Sequence, residues 1–307
     1  MWLGSDCPAV THCFTALIAI VVAAQVPAPA PQNPSPMTDT TRPHPRVAQY
    51  EPKGQRLPIG QGTLFVRDGL KASARLPLIV HFHGAPWLIE HQIAELKSDA
   101  VLVTFQLGAG SGVYARPFAD LKLFDSIVSE ASAGASQLLG RSITFSQIVL
   151  TSWSAGYGSI RAILRQPDHY ARVSAVLLLD SMHASYAGAN TGGPRTEDPP
   201  VLDADVDAFA QLARDAVSGR KQFVVLHSEV FPGTYASTTE TADAVLRAAD
   251  VKRQARLREG PIGMQQLSET TAGKLTVIGY AGNTAPDHVD HLYALGAHLE
   301  RWRVLTR

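Results

Sequence analysis

Six short apolar runs, each continuous rather than alternating with polar residues, set the tightest limit on how this chain folds. They are residues 76–82 (LPLIVHF), 100–105 (AVLVTF), 147–151 (QIVLT), 173–179 (VSAVLLL), 223–226 (FVVL) and 274–280 (KLTVIGY). A strand that is apolar at every position is buried on both faces, which is the condition inside a parallel sheet covered by helices. Stretches with apolar residues at helical spacing lie between and after them, at 120–139, 157–165, 239–249 and through 292–302. Strand and helix taking turns in this way predict one doubly wound α/β domain with a mostly parallel sheet. Residues 62–67 (GTLFVR) would add an antiparallel edge strand, and no internal repeat interrupts the order.

In such sheets functional groups gather just past the carboxyl ends of the strands. The residues found there are His83-Gly84, Ser154, Asp180, Glu229 and the pair His288 and His291. Composition narrows what they can do. Lys plus Arg and Asp plus Glu number 27 each, so no field of one sign points to nucleic acid or a membrane surface. The expected partner is a neutral or small molecule. Hydrophobic residues at 45% against 18% charged suffice for one sizeable core. Both cysteines, Cys7 and Cys13, precede the domain, which excludes a disulfide scaffold, a thiol nucleophile and a cysteine zinc site within it.

The first residues read as a targeting segment. Residues 14–24 (FTALIAIVVAA) are too short to span a bilayer and suit a signal-peptide core, with small residues Val22-Ala23-Ala24 before a cleavage at Gln25. Residues 1–24 are therefore expected to direct export to the periplasm or beyond, leaving no membrane span in the mature protein. The stretch ahead of the run carries Asp6 and no Lys or Arg, against the usual pattern. The alternative is a start at Met37 and a cytoplasmic protein. Residues 25–56, proline-rich from 27 to 45, are read as a disordered linker, and 57–307 as the domain.

Ser152-Trp153-Ser154-Ala155-Gly156 stands where an apolar run meets a helical one. A turn that tight needs small residues two before and two after its centre, and it lifts the central side chain clear of the sheet. The segment resembles the nucleophile elbow of the α/β-hydrolase superfamily, usually Gly-x-Ser-x-Gly, with Ser152 in place of the first glycine. The resemblance covers residue 62 to the C-terminus and implies Ser154 as nucleophile. His83-Gly84-Ala85-Pro86 after the first core run resembles the superfamily's oxyanion turn. It implies backbone N–H donors at Ala85, or Gly84, and at Ala155, since Pro86 has none. Trp87 and Trp153 are the candidates for substrate contact, although Trp87 reads slightly better as packing.

The superfamily's order of serine, acid and histidine places the base after the last run. His288 and His291 share a helix face there, behind a capping pair, Thr284 and Asp287. His288, at the loop-to-helix junction, is the preferred base and His291 the alternate. Their spacing alone would suit a metal, but no third ligand accompanies them. For the acid, the common place offers only Glu229. Asp180 ends an earlier run directly at the sheet edge and is preferred for its short reach, with a loop anchor as its plain alternative. The expected activity is cleavage of a carboxylic ester through an acyl-enzyme, with no cofactor or metal. Amide or peptide hydrolysis and acyl transfer use the same groups. A non-catalytic binding protein on this fold is a further alternative. Glycines and prolines in 181–207 argue against a large helical lid.

Overall fold

The computed structural model describes residues 43–71, 73–188 and 200–302. The stretch read as a signal segment, Met37, both cysteines, most of the stretch read as linker and the Gly-Pro centre of the 181–207 loop lie outside the described residues.

The six apolar runs become six parallel strands: β3 (Arg75–Phe82), β4 (Val101–Phe105), β5 (Thr144–Trp153), β6 (Val173–Leu179), β7 (Gln222–His227) and β10 (Leu275–Tyr280). Two strands precede them, β1 (Gly54–Ile59) and β2 (Gly62–Arg67), and a hairpin of β8 (Ala255–Glu259) and β9 (Gln265–Ala272) comes before β10. All ten form one sheet in the order β1-β2-β4-β3-β5-β6-β7-β10-β9-β8, antiparallel only at its two margins. The chain moves outward from β3 to β4, then returns to add β5 on the other side of β3. The sheet therefore reverses direction between β3 and β5, where open α/β sheets leave a crevice at the strand ends.

Alternation along each strand feeds two cores. Leu78, Val80 and Phe82 of β3 point to one face with Val176 and Leu178 of β6, while Ile79, Leu177 and Leu179 point to the other. Helices α3 (Leu123–Leu139), α4 (Tyr157–Leu164), α6 (Asp203–Val217) and α7 (Thr238–Ala248) cover the first face with Phe124, Ile160, Phe209 and Val245. Helix α1 (Pro86–Glu95) and the terminal pair α8 (Ala285–Tyr293) and α9 (Leu295–Arg301) cover the second with Ile89, Leu292 and Leu299. Two short helices, α2 (Ser111–Ala115) and α5 (Pro167–Arg172), complete the set. Among the described residues no helix is long and apolar enough to cross a membrane.

Several expectations need correcting. Residues 62–67 are not the edge, because β1 pairs outside them, and β1 itself begins at Gly54 inside the stretch read as linker. Residues just before it are also held, with Arg46 donating to Asp290 and to the Pro286 carbonyl at 3.1 Å. The last helix is two, broken at Ala294. Helix α6 escaped notice because its apolar stripe is largely alanine. The β8–β9 hairpin escaped because the inward positions of β9 are Gln266, Ser268 and Thr270, polar residues that leave no hydrophobic alternation.

The core also stores an acid sensitivity. His81, His227 and His298 are buried, and burial pushes each from 6.5 down to about 3. The folded protein thus refuses protons that the unfolded chain accepts at 6.5. Stability present above that pH is lost as pH falls toward 3, by about 1.4 kcal/mol per unit for each histidine. His298 is fully enclosed, and neither ring nitrogen has a hydrogen-bond partner among the described residues. His298→Leu should therefore narrow the difference in melting temperature between about pH 7.5 and about pH 5. Melts at the two pH values check this, and an unchanged difference would show that His298 does not contribute.

Candidate active site

Ser154 lies on a single tight turn between β5 and α4 with φ at 48°, a left-handed geometry that costs a non-glycine residue energy. The turn is possible because its neighbours are small. A Cβ on Gly156 would stand 2.1 Å from the Phe82 carbonyl oxygen of β3, and one on Gly158 2.2 Å from that of Ser111. Ser152 is buried and shares a 2.8 Å hydrogen bond with Ser181, whose hydroxyl donates to the Ser154 carbonyl at 2.7 Å. So the departure from glycine at position 152 supplies a brace for the turn. The Ser154 hydroxyl itself has no hydrogen-bond partner among the described residues.

Asp180 follows β6 with φ at 43° and is 1% exposed. Its Oδ1 accepts from the Ser228 N–H at 2.8 Å and the Thr238 hydroxyl at 2.5 Å. Its Oδ2 accepts from the Ser228 hydroxyl and from His288 Nδ1, both at 2.6 Å. Burial by itself would raise this carboxyl. His291 nearby and the hydrogen bonds from His288 and Ser228 outweigh that and hold it well below the usual carboxylate range. A carboxylate only accepts, so the His288 proton sits on Nδ1 and the Nε2 lone pair is left for other work. Nε2 has no partner among the described residues.

The position of His288 is set from three sides. Thr284 and Asp287 form the capping box anticipated for α8, with the Thr284 N–H donating to Asp287 at 3.1 Å and its hydroxyl at 2.6 Å. The Trp153 ring stacks on His288 at 4.6 Å, and its Nε1–H donates to the His288 carbonyl at 2.9 Å. On its other side Trp153 stacks on His83 at 5.1 Å. Desolvation, helped by His288, lowers His83 to about 4, so this ring is neutral packing. His81 is neutral too. Its Nε2–H donates to the His83 carbonyl at 2.7 Å, leaving Nδ1 to accept from Thr151.

Ser154, Ala155, Asp180 and His288 line one cavity of about 890 Å³ at the strand ends. The other candidates fall elsewhere. His291, one turn further along α8, is buried against the edge of Tyr280 at 5.5 Å and does not reach the cavity. Glu229 is exposed, exchanging hydrogen bonds with Gly282: its N–H donates to that carbonyl at 2.9 Å, and its carboxylate accepts the Gly282 N–H at 3.3 Å. It braces the loop ahead of α8. Neither Trp87 nor Trp153 belongs to the cavity wall; both pack on the second core. At the turn after β3, expected to supply the oxyanion donors, the Gly84 N–H donates to Gln106 at 2.8 Å. The Ala85 N–H has no acceptor among the described residues, although Ala85 is not a wall residue of the cavity.

Ser228 and Thr238, which fix Asp180, carried no signal in the sequence. They come from the ends of β7 and α7 and meet the acid only through the fold. The described residues contain one histidine–aspartate group at metal-ligand spacing, His44, Asp287 and Asp290. Arg46 pairs with Asp290 there, and Asp287 serves the cap, so the cluster is an ion-pair site at the base of α8.

No protein-family model matches the sequence, and no curated protein matches it. Among solved structures the chain is similar to an esterase of Pyrobaculum calidifontis at 11% identity. That match covers 84% of this chain and 87% of the other, with a TM-score of 0.47. It is similar to fungal esterases from Rhizomucor miehei at 12% identity, covering 82% and 83%, with a TM-score of 0.44. A soluble variant of monoglyceride lipase from Saccharomyces cerevisiae matches at 10% identity, covering 87% and 100%, also at 0.44. Nothing about substrate follows from likenesses of this size.

Proposed function

We propose, from the α/β-hydrolase fold that this chain adopts, that it is a serine hydrolase cleaving carboxylic esters through an acyl-enzyme. The observation that carries this reading is the Asp180–His288 pair opening into the same cavity as Ser154. Asp180 holds the imidazole with its proton on Nδ1, so Nε2 takes the Ser154 proton as Oγ attacks the ester carbonyl. The N–H groups of Ala155 and Ala85 steady the oxyanion that forms. His288 then returns the proton to the departing alcohol, which leaves the acyl group on Ser154. Water attacks that ester, His288 accepts its proton, and collapse restores Ser154 and releases the acid. Amide cleavage and acyl transfer would use the same atoms, and nothing in the site favours them. Labelling with a fluorophosphonate probe tests the reading: the adduct should map to Ser154, and an unlabelled protein would refute it.

The acid assignment has its own control. Among the described residues Glu229 exchanges hydrogen bonds with Gly282 alone, so Glu229→Gln should lower kcat/KM for a short-chain ester by less than about tenfold. A crippled Glu229 variant would move the acid to the common place and make Asp180 scaffold.

A further inference from the structure

The cavity wall beyond the reacting atoms holds charged and polar groups in an unusual state of pairing. Arg161, two turns along α4 from Ser154, donates through Nη1 to the Asp205 carboxylate at 3.0 Å and to its carbonyl at 3.2 Å. Asp205 in turn accepts the Ser185 N–H at 2.8 Å. The charges cancel, so an ionic substrate meets no uncompensated partner. Yet Nε and Nη2 of Arg161 have no acceptor among the described residues. Asn283, just before the α8 cap, is 8% exposed and belongs to the same wall. His183 spends Nδ1–H on the Ala236 carbonyl at 3.0 Å, which leaves Nε2 as an acceptor. Its ring lies against Tyr157 and Tyr235, aromatic faces in the same wall.

Resting on the esterase reading, we propose that the substrate is an ester of a polyol or sugar, its free hydroxyls bridging Arg161, Asp205 and Asn283. Neutral hydroxyls both donate and accept. They suit a wall of spare donors and acceptors whose charges are already paired, whereas a fatty chain would leave those groups dry and unmet. Hydrolysis there adds one water, frees the sugar hydroxyl and releases the acid.

The test compares two primary acetates with purified enzyme: methyl glucoside acetylated on its primary hydroxyl, and cyclohexylmethyl acetate, of similar shape without hydroxyls. The sugar ester should be favoured at least about tenfold in kcat/KM. That ratio should fall severalfold in Asn283→Leu and in Arg161→Met. Being internal to each preparation, it does not depend on the fraction folded. A fall in only one variant still supports the proposal and places the contact at that residue. A wild-type ratio of one or less, or a preference unchanged in both variants, overturns it. So does a preference for a hemisuccinate ester that Arg161→Met removes, which would assign the site to carboxylates. If Ser154 takes the fluorophosphonate but neither acetate is cleaved, the polyol proposal alone fails. If Ser154 is also unlabelled, the esterase reading fails with it.

Discussion

Ser154→Ala should abolish turnover of a short-chain nitrophenyl ester, a loss of about 10⁵-fold or more in kcat, while the melting temperature stays near that of the parent. In the proposed mechanism the hydroxyl is the atom that attacks, and neither nearby serine is placed to replace it. Ser152 is buried in its bond to Ser181, and Ser159 is buried and donates to the Tyr114 carbonyl at 3.0 Å. Folding loses little, because the Ser154 side chain holds no partner and the brace from Ser181 grips its carbonyl instead. His288→Ala should fall to nearly the same floor, and the double variant should add little, since groups acting as one unit are not additive. His291→Ala should not share that floor, because its ring packs on Tyr280 away from the cavity. Wild-type activity in Ser154→Ala, or a fluorophosphonate adduct on Ser152 or Ser159, would discard the elbow assignment. A near-normal His288 variant beside a dead His291 variant would exchange their roles.

Asp180→Asn is the second large effect, expected at about 10³- to 10⁴-fold in kcat with KM little changed. The carboxylate accepts four hydrogen bonds from three residues, and the one from His288 decides the tautomer. An amide in its place can offer N–H to Nδ1, which moves the imidazole proton to Nε2 and blocks it as a base. It also removes the negative charge that steadies the imidazolium as the proton arrives. Some loss of stability will accompany this, because Ser228 and Thr238 keep their donors while the acceptor weakens. Rates are therefore to be normalised to the folded fraction measured by circular dichroism. A normalised kcat within about tenfold of the parent would reduce Asp180 to a loop anchor for Ser228 and Thr238.

Much of the architecture could be read from side-chain pattern, for a specific reason. In β4 and β6 nearly every position is buried, and continuous burial writes itself as continuous apolarity. The β9 strand shows the converse. It pairs with β8 and β10 at the sheet margin, where Gln266 accepts from Arg258 at 2.9 Å and Ser268 from Arg253 at 3.1 Å. Inward positions filled by polar residues, satisfied by arginines of the same hairpin and the loop before it, leave no hydrophobic period to detect. Helix α1 was passed over beside the motif at its start, although Pro86 at its first turn is a helix-start signal.

The site divides along the same line. Ser154, Asp180 and His288 stood out because each follows a strand at the edge where a parallel sheet gathers its chemistry, and that placement is local to each strand and its next few residues. The sequence by itself determined the six parallel strands at the centre of the sheet, the tight turn around Ser154 and the shortlist of two acids and two histidines. Choosing within the shortlist required the third dimension. Glu229 and Asp180 have equal chemistry, but only the tertiary fold turns one toward Gly282 and surrounds the other with Ser228, Thr238 and His288. His288 and His291 are three residues apart on one helix, yet one lines the cavity and the other packs on Tyr280. Trp153, a candidate for substrate contact, instead became the slab between His83 and His288, since stacking depends on where β3, β5 and α8 converge. Pattern reports burial and turn demands, which act within a few residues, whereas hydrogen-bond partners and cavity walls are assembled from segments tens to hundreds of positions apart.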